Sequence, residues 1–301
     1  MAAEGTYYVP EQSKLPIIVG LSLGLSAYGA GKIMIDGSYG ALLVGMILVW
    51  GTLAYWWNLV IKENMQGLVD DQLKRSYVWG IGWFIFSEVM FFSAFFGALF
   101  YVRNVALPTL GGWEMGVANP KEWGGFSPSW PLMVTPDQSL NGDSAVMKGP
   151  EHAFTFPGWS NIFHWLPLWG TLILMTSSWT VHVAHHALKH GDNRKKFNIW
   201  LGITVILGST FLCLQAYEYF EAYHHLGLTL KSGIYGTTFF MLTGFHGAHV
   251  TMGTIMLLVQ LIRSFKGHFT ENDHFGFEMA SWYWHFVDVV WVMLFFFVYI
   301  L

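Results

Sequence analysis

Residues 274–301 read HFGFEMASWYWHFVDVVWVMLFFFVYIL, and this apolar stretch decides the fold class. At 1.5 Å per residue, a helix of this length crosses the hydrocarbon core of a bilayer, which is about 30 Å thick. The stretch nevertheless carries Glu278, His285 and Asp288. Glu278 and His285 are seven residues apart and share one helix face, and Asp288 follows His285 at i+3. Ionisable groups at membrane depth turn toward protein or water, so this helix is predicted to pack against polar partners.

The whole chain has the composition of an integral membrane protein. Of its 301 residues, 53% are hydrophobic and only 11% are charged, whereas about 25% of residues are charged in soluble domains. The single cysteine, Cys213, excludes an internal disulfide and a thiolate metal cluster. Residues 1–14 contain neither a cationic signal-peptide start nor an Arg-rich presequence, so no cleaved targeting segment is expected.

Seven apolar segments of spanning length follow one another, which predicts an all-α polytopic membrane protein with seven transmembrane helices. The segments are residues 15–35, 39–61, 78–102, 160–182, 197–221, 233–262 and 277–301. The first contains Gly20 and Gly24 in a small-xxx-small pattern that permits close helix packing. The one long loop, predicted at 103–158, holds seven of the ten prolines and is expected to be irregular and external.

The distribution of Lys and Arg predicts the orientation of the chain in the membrane. The N-terminus and the loops after spans 2, 4 and 6 share one side of the membrane, and ten of the 15 basic residues lie there: Lys14, Lys62, Lys74, Arg75, Lys189, Arg194, Lys195, Lys196, Arg263 and Lys266. The other side carries Lys32, Arg103, Lys121, Lys148 and Lys231. This excess places the N-terminus in the cytoplasm and Leu301 outside.

Glu88 lies near the centre of the third span, where inserting a charged carboxylate costs at least about 2.5 kcal/mol. It is either a proton-handling or ligand-facing group, or a neutral carboxyl that is hydrogen-bonded between helices. Glu218 and Glu221 lie at i and i+3 at the outer end of span 5. They form either an acid–base or cation pair, or an anchor near the interface among tyrosines.

Histidines cluster in two spans and raise the question of a metal. His182, His185 and His186 form an HxxHH motif typical of membrane di-iron enzymes, and His246 and His249 lie at i and i+3. The two groups fall at different membrane depths, so no metal site is predicted. A di-iron desaturase or oxygenase remains the alternative function. A secondary transporter is a further alternative, but no internal repeat supports it.

The inner end of span 2 carries Trp56 and Trp57, followed by Lys62 and Glu63. These residues suit either a phospholipid head group or an ordinary aromatic belt at the membrane interface. The chain contains no phosphate-binding loop, dinucleotide fingerprint, CxxCH or HExxH motif. No catalytic residue is predicted.

Together these segments resemble subunit III of the haem–copper cytochrome c oxidases. The resemblance is carried by six motifs: YWWNLVIKENMQG (55–67), FIFSEVMFF (84–92), AHHALKHGD (184–192), LQAYEYFEA (214–222), YGTTFFMLTGFHGAHV (235–250) and HFTENDHFGFEMASWYWHFVDVVWVMLF (268–295). They cover all the spans in the family order. Seven spans rather than five favour the cytochrome c type over the quinol type.

The resemblance implies a non-catalytic core subunit of a proton-pumping, bacterial aa3-type oxidase in the cytoplasmic membrane. Haem and copper would belong to partner subunits, so this chain would bind no metal and only structural phospholipids. The expected partners are subunit I as the main contact, subunit II and a small accessory subunit, with no nucleic acid. The work of the subunit would be packing, lipid binding and sustained proton uptake.

The resemblance also implies two helical units, residues 1–77 and 78–301, separated by a V-shaped cleft filled with phospholipid. It makes the Trp56–Glu63 region a lipid contact and makes Glu88 a cleft-facing, carbodiimide-sensitive carboxyl off the main proton path. The expected buried or cleft-facing polar set is Glu88, Glu218, Glu221, His246, His249, Glu278, His285 and Asp288. Residues 68–71, Leu-Val-Asp-Asp, depart from the His-containing family pattern, which puts a histidine–lipid contact there in doubt.

Overall fold

The computed structural model describes residues 12–111, 126–189, 193–270 and 273–301, apart from the side chain of Met34. Within these ranges there are seven long helices and no β-strand. In chain order they are α1 Leu15–Asp36, α2 Gly40–Met65, α3 Asp71–Tyr101, α4 Leu166–Lys189, α5 Arg194–His225, α6 Gly233–Phe265 and α7 Phe275–Leu294. A π-helical turn at Val102–Ala106 and an α-helical turn at Leu107–Leu110 prolong α3, and a π-helical segment at Phe295–Ile300 prolongs α7.

Six helices in the described part of the chain are long and apolar enough to cross a membrane. They are Leu15–Ile33, Gly40–Met65, Asp71–Leu110, Arg194–His225, Gly233–Phe265 and Phe275–Ile300. The prediction of an all-helical polytopic membrane protein is confirmed at this level. The remaining long helix, α4, has 24 residues, but hydroxyl and imidazole side chains interrupt its apolar sequence.

Two predicted spans had the wrong bounds. The third span was expected to begin at residue 78 and to end at 102, but α3 begins at Asp71 and its prolongation reaches Leu110, so the external loop does not start at 103. The Asp70 carboxyl caps the helix by accepting the Leu73 N–H at 2.7 Å, and hydropathy does not register such polar starts. The fourth span was expected at 160–182, but α4 begins at Leu166, with Pro167 in its first turn, and continues to Lys189.

The described part of the external loop is packed rather than loose. The amides of Glu151 and His152 donate to the Leu226 carbonyl, and the Phe154 N–H donates to the Tyr235 hydroxyl at 3.0 Å. Asp137 accepts hydrogen bonds from the amide of Met147, the side chain of Asn141 and the amide of Val146, and these lower the pKa of its carboxyl. Residues 112–125 of the predicted loop lie outside the described ranges.

The chain divides into two compact units, Met1–Gly80 and Ile81–Leu301. In the first unit, α1 and α2 pack through small residues. A Cβ on Gly29 would collide with the backbone of Leu42, and one on Gly45 would lie 2.6 Å from the Ser26 hydroxyl. Gly20 and Gly24, by contrast, face open space, so the predicted small-residue contact forms elsewhere on α1.

The second unit contains most of α3 together with α4–α7. Contacts link α4 to α5, α5 to α6, α6 to α7 and α7 back to α4, which closes a four-helix ring. Trp284 of α7 is fully buried inside it, and its indole N–H donates to the Ser177 hydroxyl of α4 at 3.1 Å. A Cβ on Gly208 or on Gly253 would lie 2.7 or 2.8 Å from the Trp284 ring. The tryptophan therefore fits only because two neighbouring helices present glycine to it.

Replacing Gly253 by alanine should destabilise the protein by about 1–3 kcal/mol, because the new methyl group overpacks the Trp284 site. Gly247→Ala on the same helix is the matched control, since a Cβ there meets nothing within 4 Å. The measurement is the midpoint of thermal unfolding of the purified protein. Equal midpoints for the two variants would contradict this account of the core.

Candidate functional site

The clearest polar contact inside the second unit joins α3 to α6. Oε2 of Glu88 lies 2.9 Å from Nε2 of His249, and Nδ1 of His249 lies 2.6 Å from the Phe245 carbonyl oxygen. A carbonyl only accepts, so Nδ1 carries a proton, and one further proton is shared between Glu88 and Nε2. Both placements of that proton leave the pair without net charge. The structure thus places Glu88 in a hydrogen bond between helices, with 21% of its side chain exposed.

Aromatic rings surround this pair. Phe92 meets the His249 ring edge-on at a centroid distance of 5.1 Å, and Tyr283 stacks beside it at 6.4 Å. These apolar surroundings lower the local dielectric constant and strengthen the hydrogen bond between Glu88 and His249. The arrangement is suited to holding or passing a single proton.

His246 faces another part of the bundle, although it is only three residues from His249. It is fully buried, stacks on Trp291 at 5.1 Å and meets the edge of Phe211 at 5.9 Å. Neither of its ring nitrogens has a hydrogen-bond partner among the described residues. The structure therefore does not bring His246 and His249 together as ligands of one metal ion.

A second polar cluster lies between α4 and α7. The Ser178 hydroxyl is 2.8 Å from Nδ1 of His285, and this nitrogen is 4.0 Å from Oδ2 of Asp288. The Asp288 side chain is only 4% exposed, whereas 40% of the His285 side chain is exposed. Neither carboxyl oxygen of Asp288 has a hydrogen-bond partner within the described ranges. This cluster therefore ends at the surface of the chain with part of its hydrogen-bonding capacity unused.

Glu218 is buried at the far end of α5, where the Tyr299 hydroxyl donates to it across the unit. Glu221, one turn further along, is half-buried. The next helical neighbour, Tyr219, exchanges a hydrogen bond of 2.7 Å with Thr243 of α6. Of the two interpretations left open for the Glu218–Glu221 pair, an acid–base or cation pair and an anchor near the interface among tyrosines, the bond between Glu218 and Tyr299 favours the anchor.

The HxxHH motif lies at the last turns of α4. His182 and His186 are exposed, and His185 packs against His274 at 5.6 Å and against Phe277 at 5.7 Å. Glu278 is close enough to His185 to interact with it electrostatically. Among the described residues, no group of three or more His, Cys, Asp or Glu side chains is arranged to hold a metal. His190 lies outside the described ranges.

On α2, the predicted lipid contacts occupy the last three turns. Trp56, Trp57 and Glu63 are half-buried and Lys62 is exposed. Trp56 and Glu63 share a helix face, seven residues apart, about 10 Å along the axis.

Sequence reasoning missed three residues that take part in these contacts. Ser178 and Tyr299 complete the His285 and Glu218 clusters. Arg103 was counted only as an external charge, but its guanidinium donates to main-chain oxygens of Phe297 and Leu301 at 3.2 and 2.6 Å. Two features of the sequence could have indicated these contacts. One is the pair of hydroxyl residues, Ser177 and Ser178, within an apolar segment, and the other is the single arginine that directly follows the third apolar span.

Comparison with known proteins covers nearly the whole chain. The family model for cytochrome c oxidase subunit III matches residues 5–120 and 161–301. The "Cytochrome c oxidase subunit 3" proteins of Oryctolagus cuniculus and Bos taurus are each 36% identical over 96% of this chain and 94% of their own length. That of Loxodonta africana is 37% identical over 97% of this chain and 96% of its own length. The chain therefore belongs to the cytochrome c oxidase subunit III family and is a subunit of that oxidoreductase complex.

Proposed function

We propose that this chain is a non-catalytic core subunit of a bacterial aa3-type oxidase and that it supports subunit I by packing, lipid binding and sustained proton uptake. Subunit II and a small accessory subunit are the further proposed neighbours. The proposal includes seven transmembrane helices, with α4 as the seventh, in the bacterial cytoplasmic membrane. The excess of basic residues in the inner loops supports a cytoplasmic N-terminus and a periplasmic Leu301.

The observation that carries the packing role is the position of His285. It lies ten residues from the start of a 26-residue spanning helix, about 15 Å along its axis and close to the middle of the bilayer. Lipid tails offer nothing to hydrogen-bond, so an imidazole that is 40% exposed at this depth needs a protein neighbour. The α4–α7 face around Ser178 and His285 is therefore the proposed docking face for subunit I.

A photo-crosslinking residue in place of Val289 should link this chain to subunit I in the assembled oxidase. Val289 is 61% exposed and lies one turn from His285 on the same side of α7. The matched control is Ile206, which is 65% exposed on α5, across the helix ring from α7. The crosslinked products are identified by mass spectrometry. A lipid adduct at 289 with no protein adduct would refute the docking face.

The redox chemistry is proposed to lie outside this chain, with haem and copper in the partner subunits. The polar residues of the spans support this view because they bond to helices or stack on aromatic rings. Glu88 bonds to His249, Glu218 to Tyr299, and His246 stacks on Trp291. A di-iron oxygenase would need its histidines to face one another in one ligand set, and no such set forms among the described residues.

Glu88→Gln should leave assembly intact and keep initial oxygen consumption within about twofold of the unchanged enzyme. The glutamine amide can still donate to Nε2 of His249, so the bond between α3 and α6 survives. Glu88→Leu, which removes that bond, is the destabilised comparison. The measurement is oxygen uptake by the purified oxidase from the first turnovers onward. Loss of the initial rate in Glu88→Gln would place Glu88 on an essential proton path.

The lipid role is proposed for the inner end of α2, with the units 1–77 and 78–301 bounding a V-shaped cleft. The division of the chain into compact units at Gly80 and the half-buried Trp56, Trp57 and Glu63 side chains support it. An indole at this depth packs on the glycerol region, and Lys62 and Glu63 complement a zwitterionic head group.

Trp57→Ala combined with Glu63→Ala should lower the amount of phospholipid that stays with the oxidase after purification, because both an apolar and a polar contact are lost. Tyr55→Ala, at a position that is 63% exposed, is the control on the same helix. Phospholipid is quantified per haem after extraction. Unchanged phospholipid in the double variant would remove the support for this contact.

A further inference from the structure

A groove of about 600 Å³ runs between α3 and the end of α7. Its α3 wall presents Phe96, Gly97 and Phe100, which share one helix face at i, i+1 and i+4. The opposite wall is built from Met293 and Phe297 of α7 and its π-helical prolongation. The lining is therefore mainly apolar, and both walls belong to the second unit.

The groove has the length of one leaflet of the bilayer. On α3 and its prolongation it extends from Ser93 to the adjacent polar residues Arg103 and Asn104, which is about 15 Å. Half of a hydrocarbon core of about 30 Å has the same dimension. Ser93 marks the end near the middle of the membrane, and Arg103 marks the end near the surface, one turn before the helix reaches Pro108.

A positively charged side chain, Arg103, lies at the surface end of the groove. The Arg103 guanidinium donates one N–H to Phe297 and one to Leu301, and it lies 5.4 Å from the centre of the Trp130 ring. A guanidinium has five N–H groups, so three remain for an anion. The backbone here forms a π-helical turn, Val102–Ala106, a rare geometry that is frequent at functional sites.

We propose that this groove is a binding site for an anionic glycerophospholipid, with one acyl chain along the apolar walls and the phosphate on Arg103. The distribution of polarity along the groove matches that of the lipid: about 15 Å of apolar surface ends in a charged donor that binds phosphate well. An apolar helix of a partner subunit would match the walls but would offer no acceptor to the remaining N–H groups of the guanidinium. The site differs from the proposed contact at Trp57 and Glu63 in both residues and membrane end.

Gly97 gives a way to close the groove without disturbing the protein. A Cβ at Gly97 meets nothing within 4 Å, so a larger side chain there would grow into the space that the acyl chain needs. Gly82, on the same helix, is equally open and lies outside the groove. Gly97→Leu and Gly82→Leu therefore form a matched pair that separates filling of the groove from the general effect of a leucine on α3.

The test uses the complete oxidase purified in mild detergent, with bound lipids measured by native mass spectrometry after addition of phosphatidylglycerol or phosphatidylcholine. We expect Gly97→Leu to lose one bound lipid of either kind and Gly82→Leu to lose none. Arg103→Gln should weaken the binding of both lipids, because both carry a phosphate, and should weaken phosphatidylglycerol binding more, by about tenfold, because only this lipid has a net negative charge. Arg103→Lys should keep the preference for phosphatidylglycerol, and Lys231→Gln, which removes an exposed cation elsewhere, should not alter it.

Three results would overturn the proposal. Lipid binding that is the same in Gly97→Leu and Gly82→Leu would show that the groove holds no lipid. Release of a protein subunit by Gly97→Leu, without loss of lipid, would show that a partner helix fills it. An equal loss of phosphatidylglycerol and phosphatidylcholine in Arg103→Gln would show that the guanidinium does not recognise the charge. None of these results bears on the Trp57–Glu63 contact, which is measured with its own variants.

Discussion

Hydrogen bonds between helices are the interaction on which the arrangement of the second unit depends, because the bilayer core offers no water to its buried polar groups. A buried donor or acceptor without a partner costs about 1–3 kcal/mol, and the cost is larger for a charged group. The indole N–H groups of Trp284 and Trp291 donate to Ser177 and Thr171 of α4. Tyr299 bonds to Glu218 of α5. These bonds, together with the one between Glu88 and His249, join helices that are 81 to 161 residues apart in the chain and so set their rotation about their own axes.

The same constraint separates groups that are satisfied inside this chain from groups that are not. Glu88 and Glu218 are hydrogen-bonded to other helices, and His246 is enclosed by rings but has no hydrogen bond from the described residues. His285 bonds to Ser178 but is 40% exposed, and Asp288 is buried without a hydrogen bond from any described residue. Such unmet groups are expected in a subunit of a larger membrane complex, where a neighbouring chain supplies the missing surface. Membership of the cytochrome c oxidase subunit III family agrees with this picture.

Close packing is the second interaction that holds the helices together. The Trp284 ring lies against glycines of two helices, and α1 meets α2 through Gly29 and Gly45. Lipid tails are as apolar as leucine, so the burial of leucines between helices contributes little free energy to helix association in a membrane. Small residues let large rings and backbones approach closely, and dispersion then favours the assembled state.

Individual residues show which features of the structure could be predicted from the sequence and which could not. The apolar stretch 274–301, which also contains Glu278, His285 and Asp288, was enough to predict a membrane helix with polar neighbours. The six motifs were enough to predict the family, which the comparisons confirmed. The start of α3 at Asp71 was missed because a capping carboxylate lowers hydropathy while extending the helix. The partner of Glu88 was missed because His249 is 161 residues away in the chain.

The sequence by itself determined the class of this protein, because the length and polarity of a segment decide whether it can lie in lipid. It also determined the family, because six motifs in a fixed order are far more specific than any single residue. Only the tertiary structure decided which face each polar residue presents and what it meets there. His246 and His249 are three residues apart, yet one stacks on Trp291 and the other bonds to Glu88. Helical periodicity gives the angle between two side chains, whereas the position of the neighbouring helices gives each of them its partner.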